Sequence, residues 1–236
     1  MGSNGKARTE KMEKPASDAA AAAEEFAEQR RAMVEEQIHE RGVSSLRVLE
    51  AMLAVPRHLF VPEEYVAGAY SDQPLPIGEG QTISQPYMVA VMTEALELSG
   101  GERVLEVGTG SGYQAAVISL LAREVYTIES HASLAHEARR RLAQLGYANV
   151  HVHTGDGTLG LPEAGPFDAI VVTAAAPRVP PPLVEQLAEG GRLVIPVGQA
   201  DQQELVQARK IGDRTTSCVL NYCRFVPLVG RYGWRS

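Results

Sequence analysis

The chain has 236 residues, enough for one large α/β domain around a single core. Hydrophobic residues make up 44% and charged residues 22%, which excludes wholesale disorder. The formal net charge of −7 argues against sequence-independent binding to nucleic acid or to an anionic membrane, and no run approaches the roughly 20 apolar residues that span a bilayer.

Residues 1 to about 25 carry almost no large apolar side chain and read as a disordered tail. Four basic and five acidic residues give that tail 4 − 5 = −1. It has neither the apolar core of a secretory signal nor the Arg-rich make-up of a transit peptide. Residues 26–236 then read as a single domain. Phe26, Met33, Val34 and Ile38 recur at helical spacing, with Gly42 as a stop. A second helix fits Leu46 to Val55, ended by Pro56. Residues 71–81 are rich in Gly and Pro and read as a long loop. Ser84 can cap a helix with Pro86 in its first turn and Met88 to Leu98 as its body.

Strands and helices alternate beyond Gly101. Strands are expected at 103–107, 124–128, 150–153, 167–173 and 192–197, with helices at 113–121, 132–145 and 183–188. This order predicts an α/β fold: a doubly wound, mostly parallel sheet with helices on both faces, preceded by N-terminal helices. Segments 204–210 and 215–227 read as strands joined by a turn at Gly212-Asp213, an antiparallel pair at the C-terminal edge. Cys218 and Cys223 are five apart in that last strand. Alternation puts them on opposite faces, so they read as reduced thiols in a cytoplasmic setting.

The chemistry concentrates in VLEVGTGSG, residues 104–112. A buried strand runs into glycines at 108, 110 and 112 and then a helix, so the backbone turns tightly and approaches a ligand closely. The spacing is G-x-G-x-G rather than the G-x-G-x-x-G of a dinucleotide site. Glu106 before the glycines would repel a pyrophosphate and suits the cationic amino-acid part of S-adenosylmethionine. Ser111 lies within the turn. Glu129, next to Ser130, ends the second strand, where a carboxylate can accept from two ribose hydroxyls. Asp156, beside Gly157, follows the third strand and can accept from an adenine amino group. Other features have plainer readings. His151 and His153 share a strand face without a third ligand, so no metal is expected, and Arg139 to Arg141 read as a solvated helix face.

VLEVGTGSGY, the GDG at 155–157 and FDAIVVTAAAP resemble class I S-adenosylmethionine-dependent methyltransferases. Residues 80–88, GQTISQPYM, more narrowly resemble the active-site loop of the protein-L-isoaspartate O-methyltransferase family, and RFVPL at 224–228 resembles its C-terminal signature. The resemblance covers the chain from about Phe26 onward. It implies a Rossmann-like fold, S-adenosyl-L-methionine as methyl donor and S-adenosyl-L-homocysteine as product. It also implies isoaspartyl peptides and proteins as substrate, with Ser84 as the catalytic residue. Ile83, Gln85, Pro86, Val172 and Thr173 are expected on the substrate side. The substrate carboxylate is already anionic, so the enzyme must position and desolvate it rather than deprotonate it. The methyl ester would let the neighbouring amide close a succinimide, whose hydrolysis returns some normal aspartate. A monomer is expected, with neither nucleic acid nor membrane as partner. A methyltransferase for another carboxylate or hydroxyl, a nicotinamide-dependent oxidoreductase and a silent binding module are the alternatives.

Overall fold

The computed structural model of the chain describes residues 14–235. Helix α1 spans Lys14–Ala32 and continues as wider π-type turns over Met33–His39. Helical backbone therefore reaches into the stretch that composition alone read as a disordered tail. An alanine-rich run has high helix propensity even without an apolar stripe. Residues 1–13 of that expected tail lie outside the described residues. Helix α2 spans Leu46–Ala54. The expected loop at 71–81 instead holds a hairpin, β1 (Leu75–Gly78) with β2 (Gln81–Ile83). Its turn, Glu79-Gly80, has positive φ at both residues, as tight antiparallel connections require. Helix α3 follows at Pro86–Glu94, four residues shorter than the expected body.

Next come β3 (Arg103–Val107), α4 (Tyr113–Ser119), β4 (Glu124–Glu129), α5 (Ala132–Gln144), β5 (Val150–Thr154) and β6 (Phe167–Val172). Helix α6 is only Pro181–Glu185, and β7 already begins at Leu187 and runs to Gly198. The expected helix over 183–188 fails because Leu187 pairs with Phe167, and the ladder resumes at Arg192 after an irregularity at Gly190-Gly191. Strands β8 (Gln203–Ile211) and β9 (Arg214–Cys223) complete the sheet.

The seven strands lie in the order β5-β4-β3-β6-β7-β8-β9. The first five are parallel, and β7, β8 and β9 pair antiparallel at one edge. Both faces of the central strands are buried, which explains why FDAIVV reads as an unbroken apolar run. Leu105, Ile170, Val172, Leu193 and Ile195 pack in one cluster; Val104, Ala169, Val171 and Val194 pack in another with Met92 and Ile118. A β-bulge near Leu220 resets the alternation on β9, so Cys218 faces Gln207 and Cys223 faces Gln203, positions on one side of a regular β8. That corrects the opposite-face expectation; both thiols are free.

Phe167 is fully buried, its ring 5.8 Å from that of Tyr126. Phe167→Ala is expected to cost about 3–5 kcal/mol of stability, read from urea unfolding. A loss below about 1 kcal/mol would mean that the surrounding cluster closes over the missing ring.

Candidate active site

The parallel strands deliver their C-terminal ends to one side of the sheet. Chain direction reverses between β3 and β6, where open parallel sheets bind ligands. Gly108, Gly110 and Gly112 all have positive φ, so the turn after β3 needs glycine at each. A Cβ at Gly108 would collide with Thr173 Oγ1, and one at Gly157 with Val107. Thr173 Oγ1 donates to Gly108 O at 2.7 Å and thereby ties the end of β6 to the glycine turn.

Above these strand ends lies a cavity. Its floor and sides include Gly108 to Ser111, Glu129 to His131, Gly157 and Thr173. Ile83 and Ser84 close it from the hairpin side, and Val226 to Val229 close it from the C-terminal segment. That segment is pinned by Leu228 N–H to Ala175 O at 2.7 Å and by Trp234 Nε1 to Ala175 O at 3.0 Å. The hairpin tip is held where Ser133 Oγ donates to Glu79 at 2.6 Å. A groove adjoins the cavity, walled by Arg41, Gln85, Tyr87, Arg224 and Phe225 among others. Thr82, Ser84, Thr173, Val226 and Pro227 border both spaces.

Most expected cofactor residues meet at this cavity: Gly108, Gly110, Ser111, Glu129, Ser130 and Gly157 all line it. Glu129 accepts from Gly110 N–H at 2.9 Å and His131 N–H at 3.0 Å. Carboxylate oxygens each take more than one donor, so hydroxyls can still be held there. Three expected ligands stand elsewhere. Gly112 lies behind the wall, where a Cβ would press on Leu142 of α5. Asp156 caps the turn at Thr158 and accepts from Arg231 N–H at 2.8 Å. Burial opposes its ionisation, but the Arg231 and Thr158 donors outweigh that and hold it below its usual value.

Glu106 is the third departure. It shares the Val104 face of β3, which packs towards α4, so its carboxyl is fully buried and off the cavity wall. Thr127 Oγ1 donates to Glu106 Oε2 at 2.5 Å and shares a 2.6 Å bond with Thr109 Oγ1, which is on the wall. Glu106 Oε1 has no partner among the described residues. Burial pushes its pKa up to about 8; Thr127 opposes this, and the charge of Glu129 adds to it. The residues that remain fit an adenosyl amino-acid cofactor. The glycines bare the backbone, Glu129 can take hydroxyls, and an orphaned carboxyl oxygen sits beneath the turn.

On the substrate side Ile83 and Thr173 line the cavity, and Gln85 and Thr173 line the groove. Pro86 is buried as the first residue of α3, and Val172 is fully buried within β6, so neither reaches either space. His151 and His153 flank the Tyr126 ring at 5.0 and 6.2 Å between centroids, as an ordinary strand face does. The C-terminal wall at 226–229 and Thr109 were missed. RFVPL was the available signal for the first, and the threonine between two glycines for the second.

A family profile described as Protein-L-isoaspartate(D-aspartate) O-methyltransferase (PCMT) matches residues 28–233. The chain belongs to this family. A protein-L-isoaspartate O-methyltransferase of Geobacter metallireducens is 61% identical over 206 residues, 87% of this chain and 95% of that one. One from Syntrophus aciditrophicus is 56% identical over 212 residues, 89% and 97% of the two chains. A solved structure of a protein-L-isoaspartate O-methyltransferase superposes with a TM-score of 0.79 at 32% identity, over 86% of this chain and 67% of the other. A putative PCMT from Plasmodium falciparum, solved with S-adenosyl-L-homocysteine, gives 0.72 at 26% identity over 85% and 98%. The fold positions of the PCMT chain thus agree with the Rossmann-like methyltransferase architecture expected from its motifs.

Glu106 carries a pH dependence. Between its usual value of 4.5 and about 8, the unfolded chain has this group ionised while the folded chain keeps it protonated. The unfolded state then binds fewer protons, so this group's contribution to stability falls as pH rises through that window. Glu106→Gln is expected to remove that part of the slope, read from urea unfolding at pH 5, 6, 7 and 8. Parallel stability profiles for the two proteins would contradict the buried, protonated state.

Proposed function

We infer that the cavity and the groove divide one reaction between them. As a PCMT family member the chain is an enzyme that methylates the free carboxylate of L-isoaspartyl residues, with S-adenosylmethionine as donor. That donor supplies a methyl group already activated on a sulfonium. The chain's own residues bind, orient and dry the partners. Gly108, Gly110, Ser111, Glu129, Ser130 and Gly157 hold the cofactor in the cavity, with Glu106 acting from beneath through Thr127 and Thr109. The groove takes an extended peptide, with Ile83, Gln85 and Thr173 on its side.

The observation that carries this reading is the place of Ser84. It borders both spaces, and its hydroxyl has no partner among the described residues. A hydroxyl there can donate to one carboxylate oxygen while the other faces the cavity. No general base is required, because the attacking oxygen is already anionic. The ester formed is a better leaving group than the carboxylate, so the neighbouring amide closes a succinimide and repair begins. No described helix is long and apolar enough to cross a membrane. The free thiols and acidic charge suit a reducing, cytoplasmic setting, and we take the working unit as a monomer without nucleic-acid or membrane partners.

The test pairs two peptides, one isoaspartyl and one normal aspartyl, with labelled S-adenosylmethionine. Label is expected on the isoaspartyl peptide alone; equal labelling of both would overturn the reading. Ser84→Ala is expected to lower kcat by at least about 10-fold, with S-adenosylhomocysteine affinity little changed. Unchanged turnover would remove Ser84 from the reaction.

A further inference from the structure

A serine three residues before Tyr87 has a competing local use. With Ser84 as N-cap, Gln85 and Pro86 would be the first two helical residues and Tyr87 the third. An N-cap side chain accepts from the second or third N–H of its helix. Proline has no N–H, so Tyr87 N–H would be the donor available to the Ser84 hydroxyl. A serine turned that way to cap α3 is turned away from a substrate carboxylate.

The structure gives that donor to another residue. Asp72 lies between Tyr70 and β1, fifteen residues before Tyr87. Its Oδ1 accepts from Tyr87 N–H at 3.2 Å, and its Oδ2 accepts from Gln85 Nε2 at 3.3 Å. Arg41, just past the π-type turns, completes the cluster with an ion pair to Asp72 Oδ2. The Arg41 guanidinium also lies over the Tyr87 ring, 3.6 Å from its centroid. Gln85 occupies the N-cap position of α3 and makes no cap bond of its own. A carboxylate at the start of a helix is favoured by the helix dipole and by the unpaired N–H groups there.

We propose that Asp72 is a positioning residue for methyl transfer: by taking the Tyr87 N–H and fixing Gln85, it keeps the Ser84 hydroxyl out of the helix cap and facing the two spaces it borders. The proposal rests on the role of Ser84 stated above. It also gives Arg41 a task, to hold the Asp72 carboxylate at the head of α3 while its own stem forms part of the groove.

The test is a double-mutant cycle on the full chain, with Asp72→Ala, Ser84→Ala and the double variant assayed on an isoaspartyl peptide. Asp72→Ala is expected to lower kcat by about 10-fold or more, since small misplacements of a reacting partner cost that much. S-adenosylhomocysteine affinity is expected to change by less than about twofold, because that cavity keeps its walls. Asp72→Asn keeps an acceptor for Tyr87 N–H and is expected to recover most of the lost kcat. In the Ser84→Ala background the same Asp72→Ala change is expected to cost less than about twofold, because the group it positions is gone. Should Asp72→Ala not fold, Asp72→Ser, whose shorter hydroxyl does not reach Tyr87, takes its place. Losses that multiply independently, or an Asn variant no better than Ala, would overturn the proposal while leaving Ser84 in place. A Ser84→Ala enzyme with unchanged kcat would overturn both.

Discussion

The pairing of β3 with β6 is the constraint on which the site depends. Val107 lies opposite Val172, so the residues that follow, Gly108 and Thr173, emerge side by side. Thr173 N–H donates to Val107 O at 2.9 Å, and its hydroxyl reaches the next carbonyl. A one-residue slip would move Ile170 and Val172 off their face and bring Ala169 and Val171 onto it. Because both faces are buried against different partners, the register is fixed by packing, and the positions of the loops follow from it. Glycine at 108 is the local counterpart of that constraint, since the threonine fills the space a side chain would need.

Much of this was legible in the sequence because the signals were local. RVLEV is bounded by glycines and buried on both faces, and its limits coincide with β3. The glycine turn, Glu129 at the end of β4 and Ser84 after the hairpin were all placed at the cavity. What escaped was decided at long range. The hairpin at 75–83 is too short for its alternation to stand out from a Gly/Pro-rich loop. Glu106 and Asp156 were assigned by position along the strands. Which face a strand-end side chain takes depends on register, and what it bonds depends on segments such as Arg231 that arrive 75 residues later. Ser84 as cap was a sound local reading, defeated by an aspartate from another loop.

The electrostatics of the site differ from those of the whole chain. The chain carries −7, yet the groove presents Arg41 and Arg224, and Arg41 is already paired with Asp72. Around the cavity the acids are restrained by hydrogen bonds or by burial: Glu129 by two N–H donors, Asp156 by three donors, Glu106 by loss of solvent. The net charge is therefore a property of the outer surface and a poor guide to the field a bound peptide meets.

The cavity draws its wall from segments as far apart in sequence as Ile83 and Val229. Contacts of such wide separation form late in folding, because the chain must lose loop entropy before they are rewarded. No partly folded form holding only β3, β4 and β5 has the Thr173 side or the C-terminal wall. Binding of the methyl donor is thus a property of the finished molecule, and catalysis reports complete folding. A chain that works on damaged proteins cannot begin until its own most distant contacts have closed.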